Sequence, residues 1–161
     1  MPLRSSLSKA KNWPAVLEYA ESIRDGRKIA CEELKQAVDR FFRDLDSTEY
    51  EMNPKWPEFC IGIIEKTICH QQGEKLDGTP LSGTPFLLEP YHKFIIYNLL
   101  GFRLAGTEIL RSHEALIYVP RKNIKTHLCG SIVLGAVPFV PQVRGKDVYR
   151  IRRPDAIPGI V

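Results

Sequence analysis

The stretch 114–131, EALIYVPRKNIKTHLCGS, decides how this chain is read. A β-branched and aromatic run (Ala115, Leu116, Ile117, Tyr118, Val119) ends at Pro120, and the polar turn Arg121, Lys122, Asn123 follows. Lys125 and Thr126 then open an apolar helical stretch that is expected to run to Val137. This is a strand–loop–Lys–Thr–helix order, the arrangement of a phosphate-binding loop. Backbone N–H groups at a helix N-terminus point outward and favour an anion. A lysine at that turn supplies a point charge to the β- and γ-phosphates, and the hydroxyl after it can ligate Mg²⁺. The pattern G-x-x-x-x-G-K-[ST] wants glycine at 119 and 124, where this chain has Val119 and Ile124.

Around that stretch lie 161 residues with 43% hydrophobic and 26% charged side chains, enough apolar material for one domain with a packed core. The net charge of +4 is compatible with nucleic acid but does not require it. Cys31, Cys60, Cys69 and Cys129 form no C-x-x-C pair, which argues against a zinc site and for reduced thiols in a cytoplasm. The N-terminus has no apolar signal region, and the run 94–100 is too short to span a bilayer.

Residues 1–12 are basic and Ser-rich, and are expected to be poorly ordered. A helical region is expected over 13–85. Trp13-Pro14 opens a helix to about Arg24 with Val16, Leu17, Ala20 and Ile23 on one face, and Asp25-Gly26 stops it. A second helix over about 31–45 carries Leu34, Ala37, Val38, Phe41 and Leu45 inward, with Glu33, Lys35, Arg40 and Asp44 facing away. A third, over about 57–70, points Phe59, Ile63, Ile64 and Ile68 inward, and the Gly-, Ser- and Pro-rich segment 71–85 is a loop. Residues 86–137 read as a fourth helix from Glu89 or Pro90 to Leu100, the strand 115–119, the phosphate loop and its helix. The segment 138–161 is basic and broken by Pro138, Pro141, Pro154 and Pro158, with one short strand possible near Val148.

Three segments in order resemble the large subunit of tailed-phage terminases. Residues 19–45 (YAESIRDGRKIACEELKQAVDRFFRDL) are similar to its N-terminal helical region. Residues 86–102 (FLLEPYHKFIIYNLLGF) resemble the adenine-side motif before its phosphate loop, and 115–126 (ALIYVPRKNIKT) resemble the divergent loop itself. The resemblance implies the fold class α/β, with a mainly helical N-terminal region leading into a truncated P-loop NTPase strand–loop–helix unit. It implies ATP and Mg²⁺ as cofactors. Lys125 would contact the phosphates with Lys122 nearby, Asn123 would shape the turn, and Thr126 would ligate Mg²⁺. Arg121 would stabilise charge on the transferred phosphoryl group. Tyr91 and His92 fall where an aromatic and an adenine-reading Gln stand in the family, so that His92 replaces the amide. The implied partners are phage DNA, the small terminase subunit and the portal, with no membrane.

Two features depart from the family pattern. After Thr126 the only acids are Asp147 and Asp155, so no apolar strand ending in adjacent carboxylates follows the loop, and no nuclease cluster is present. The expectation is therefore ATP binding without turnover in a shortened motor subunit. The runner-up is a non-catalytic module in which the helices bind a partner and the basic tail touches DNA. A small nucleotide kinase is a weaker third, because no acceptor site or lid is visible.

Overall fold

The structure, a computed structural model, describes residues 7, 9–70, 72–75, 77–112, 114, 128–130, 132, 133, 142–144 and 147–149. Helix α1 (Trp13–Arg24) begins with a proline in its first turn, where the missing N–H costs nothing. It ends where Gly26 adopts φ 73° and its N–H reaches the Ile23 carbonyl at 3.1 Å. Helix α2 (Glu32–Asp46) places Glu32 and Glu33 in its first turn and Arg43 in its last, matching the helix dipole at both ends. Strand β1 (Tyr50–Met52) follows, then helix α3 (Lys55–Thr67), helix α4 (Pro90–Leu100) and strand β2 (Phe102–Leu104). Strands β1 and β2 pair antiparallel, with Glu51 opposite Arg103 and Met52 opposite Phe102. A separate antiparallel pair joins β3 (Gln142–Arg144) and β4 (Asp147–Tyr149).

Among the described residues the fold is thus mixed, about half helical with two small two-stranded sheets. Helix α4 packs on α1 and α3, α2 packs on α1 and β1, and α4 runs straight into β2. Apolar burial drives this arrangement. Val16, Ala20, Ile23, Val38, Phe41, Cys60, Ile61, Ile64, Phe94, Ile96, Tyr97 and Phe102 are all at most 4% exposed. Leu128, on a helical stretch at residues 128–130, joins the same core.

Several expectations need correcting. The sequence reading held no strands at 50–52 or 102–104, yet these form the ribbon beside the core. On α3 the buried face is Pro57, Cys60, Ile61 and Ile64, whereas Phe59 is 41% exposed and Ile63 and Ile68 are half-buried. The helix begins at Lys55, where Asn53 Oδ1 accepts the Lys55 N–H at 3.0 Å, and its inward stripe is rotated relative to the one expected. Ala37 is exposed. In the N-terminal dozen, Leu7 is buried in the core and Asn12 is fastened to α3. Its N–H and Nδ2 both donate to the Glu58 carboxylate at 2.7 Å, and the Tyr97 hydroxyl donates to the same group at 2.5 Å.

Asp44 is the largest reversal, since it faces inward. Arg111 Nη1 donates to Asp44 Oδ2 at 2.5 Å, while Arg111 Nη2 donates to the Asn98 carbonyl at 3.3 Å and the guanidinium lies 4.2 Å from the Phe102 ring centroid. One ion pair therefore ties α2, α4 and β2 together. Removing one member of a buried pair leaves the other charge uncompensated. Asp44→Ala is expected to lower unfolding free energy by about 3–5 kcal/mol in urea melts, and adding Arg111→Met should restore part of the loss.

Gly101 sits where α4 meets β1, and a Cβ there would collide with Met52 Sδ and approach the Tyr97 carbonyl at 2.6 Å. Gly101→Ala should cost about 1–3 kcal/mol through overpacking, read in the same melts.

Candidate functional site

The residues picked from sequence that fall among the described positions, Tyr91 and His92, lie in the first turn of α4. The approach to this turn is fixed by backbone and side-chain bonds. Phe86 N–H donates to the Ile68 carbonyl at 2.8 Å, and Leu88 N–H donates to Glu65 Oε1 at 3.2 Å. Lys93 Nζ holds the same Glu65 oxygen at 3.2 Å, with both side chains largely buried. Pro90 starts the helix, and Glu89 is its extended N-cap.

A reciprocal cap closes the turn. The Glu89 carboxylate accepts the His92 backbone N–H, and His92 Nδ1 accepts the Glu89 N–H at 3.1 Å. This is a capping box with histidine in the place usually held by Glu or Gln. Because Nδ1 accepts, the neutral ring carries its proton on Nε2. His92 is 1% exposed, and Nε2 is buried without a hydrogen-bond partner. The Tyr91 ring centroid lies 3.8 Å from that of His92, and Phe86 lies at 6.1 Å. The turn thus encloses one N–H donor beside aromatic faces, with the ring's acceptor already used by the backbone.

Beside this turn runs a groove of about 440 Å³ between α1 and Pro90, lined also by Glu18, Tyr19, Ser22, Arg27 and Lys28. Arg27 is tied to Glu18 at 2.6 Å and to Asp25 at 3.6 Å. The Lys28 ammonium stands 5.1 Å from the Tyr19 ring centroid. Tyr19 packs on Phe94 at 5.6 Å, and its phenol is pushed up by burial and by the neighbouring Tyr91 and Cys31.

Arg121, Lys122, Asn123, Lys125 and Thr126, with the strand 115–119, lie outside the described residues. Among the described residues, no group of three or more His, Cys, Asp or Glu could hold a metal ion, and no helix is long and apolar enough to cross a membrane. Sequence reasoning missed Arg103, which is 0% exposed on the ribbon face opposite Phe102. Its Nη1 meets the Glu108 carbonyl at 2.6 Å and Glu108 Oε2 at 3.0 Å, and burial lowers its pKa. Alternation of Phe102, Arg103 and Leu104 was the available signal, but a three-residue strand is too short to stand out. Comparison with protein-family models, with curated proteins and with solved structures returns no match.

Burial lowers the His92 pKa from its ordinary value of 6.5, with the nearby Glu89 charge opposing. Below about 6.5 the unfolded chain then binds a proton that the folded chain refuses, so stability falls as pH falls. Melts across pH 7 to 5 should show this loss, with a slope of at most about 1.4 kcal/mol per pH unit from this group. His92→Gln keeps the cap and should flatten that part of the profile.

Proposed function

We propose that this chain is the N-terminal, ATP-binding part of a terminase large subunit, the motor that packages viral DNA in tailed phages. The order of the segments 19–45, 86–102 and 115–126 supports the family reading. The observation that carries it is the buried, unpartnered Nε2–H of His92, at the position where the resemblance expects a side chain that reads adenine. Adenine presents ring-nitrogen acceptors that such a donor matches, and because Nε2 is enclosed in this structure the contact requires the turn to open to the base. Glu89 already supplies the anion at the N-terminus of α4, so this turn suits the base end of the nucleotide and not its phosphates.

On this reading the phosphates belong to the basic loop. Lys125 and Lys122 hold them, Asn123 shapes the turn, Thr126 offers a hydroxyl to Mg²⁺, and Arg121 faces the charge on the γ-phosphoryl group. Mg²⁺ would screen the phosphate charge there. Tyr91 and His92 bind the base. The partners are viral DNA, the small terminase subunit and the portal. In the sequence the acids after Thr126 are Asp147 and Asp155, whereas the family places adjacent carboxylates at the end of an apolar strand to position Mg²⁺ and water. The loop residues 121–126 are on that ground assigned binding and not turnover, because positioning of metal and water provides most of the rate in phosphoryl transfer.

Calorimetric titration of Mg-ATP into the full chain tests the assignment. Wild type is expected to bind, and Lys125→Ala to bind about ten- to a hundredfold more weakly, as for the loss of a charge-assisted contact. Equal affinity in both removes Lys125 from the site. Steady-state hydrolysis is expected to stay at background, and turnover abolished by Lys125→Ala would overturn the claim of binding alone.

A further inference from the structure

The cap that starts α4 is built on a nitrogen that must stay unprotonated. His92 Nδ1 accepts the Glu89 N–H at 3.1 Å, and that bond exists only while Nδ1 keeps its lone pair. A proton on Nδ1 would set one N–H against another. It would also put a cation in the core, with the enclosed Nε2–H still unpartnered. The chain just before the helix is also fastened by the Phe86 N–H on the Ile68 carbonyl and the Leu88 N–H on Glu65 Oε1. Phe86 and Leu88 are buried, whereas Leu87 between them is 67% exposed. Further upstream, residues 72–75, 77–80, 82 and 83 are exposed, so this stretch can swing away without dragging the core with it.

We propose that the turn 86–92 is an acid-sensitive latch: protonation of His92 at Nδ1 breaks the reciprocal cap and releases the turn, uncovering Phe86 and Leu88 while α1, α2 and the rest of α4 stay packed. The latch rests on the cap alone and not on the nucleotide reading. Glu89 is the charge that favours the imidazolium, and burial outweighs it. From α3, Glu65 is met by Lys93. His70 lies beyond Phe86, its ring 5.2 Å from that of Phe86. The phenols of Tyr19 on α1 and Tyr91 are raised by burial above their ordinary 10, so both stay neutral near pH 6. An opened turn puts the His92 ring in water, where it takes a proton near its ordinary 6.5, while the closed turn takes one only at lower pH. The closed form is therefore fully favoured above about pH 6.5. Below that, the closed-to-open ratio falls by up to about tenfold per pH unit, until the lowered pKa of the closed form is reached.

Native-state hydrogen exchange of the full chain, read by NMR between pH 7 and pH 5 and corrected for intrinsic exchange, tests the latch. Protection of the Leu88, Glu89 and His92 amides should fall by up to about tenfold per pH unit below 6.5, with Val38 and Phe41 of α2 unchanged. His92→Gln, which keeps an acceptor for the Glu89 N–H, should abolish the pH dependence, and His70→Gln should leave it as in wild type. The wild-type imidazole nitrogens, followed over the same range, should show Nδ1 gaining its proton in step with the loss of protection, a readout that does not depend on how either variant folds. Protection lost equally at Val38 and Phe41 would mean global unfolding and overturn the latch. So would Nδ1 protonation with the turn still protected, the ring having moved its new N–H to the Glu89 carboxylate. A pH dependence that survives in folded His92→Gln would overturn it as well.

Discussion

Phe41 is the contact on which the rest of the structure depends. It is fully buried, and its ring meets Trp13 of α1 at 6.0 Å, Phe94 of α4 at 5.2 Å and Phe102 of β2 at 5.6 Å. Tilted and edge-on geometries of this kind add to the plain area term. One side chain on α2 thereby fixes the positions of α1 and α4, the two helices that flank the groove and carry the candidate base-binding turn. The Asp44–Arg111 pair lies one turn further along α2 and orients the same elements through charge. Packing sets the distances, and the ion pair restricts how α2 and α4 rotate against each other.

The helices were legible because their ends are written in local chemistry. Pro14 opens α1, Asp25-Gly26 ends it, and Glu89-Pro90 opens α4, all within a residue or two of the observed bounds. What was not legible is whatever long-range pairing decides. Asp44 looks like a solvated residue on a polar face, and only Arg111, 67 positions later, makes it a buried one. The α3 stripe was misjudged because its candidate apolar residues, from Phe59 to Ile68, surround the helix widely enough to allow more than one inward face. Strands of three residues carry too little alternation to be seen before the partner strand is known.

The candidate site was half visible. Tyr91-His92 stood out by position, but the use made of His92 did not. A histidine three residues after a glutamate is not the usual capping-box signature, so the loss of its acceptor to the backbone was hidden. That loss matters chemically. A glutamine in this place would offer a base both a donor and an acceptor, whereas His92 offers one donor in a fixed direction. The groove lined by Tyr19, Lys28 and Pro90 had no sequence signal, since it arises where α1 and the residues after it lie beside the start of α4.

The central proposal is that the His92 ring is a neutral Nε2–H donor that contacts a nucleotide base when one binds. Nitrogen-15 spectra of the imidazole, recorded near pH 7 with and without Mg-ATP, measure this directly. The account predicts the Nε2–H tautomer in the free chain and a clear shift of Nε2, with Nδ1 little changed, when Mg-ATP is added. A ring protonated on Nδ1, or ring nitrogens indifferent to saturating Mg-ATP, would contradict it.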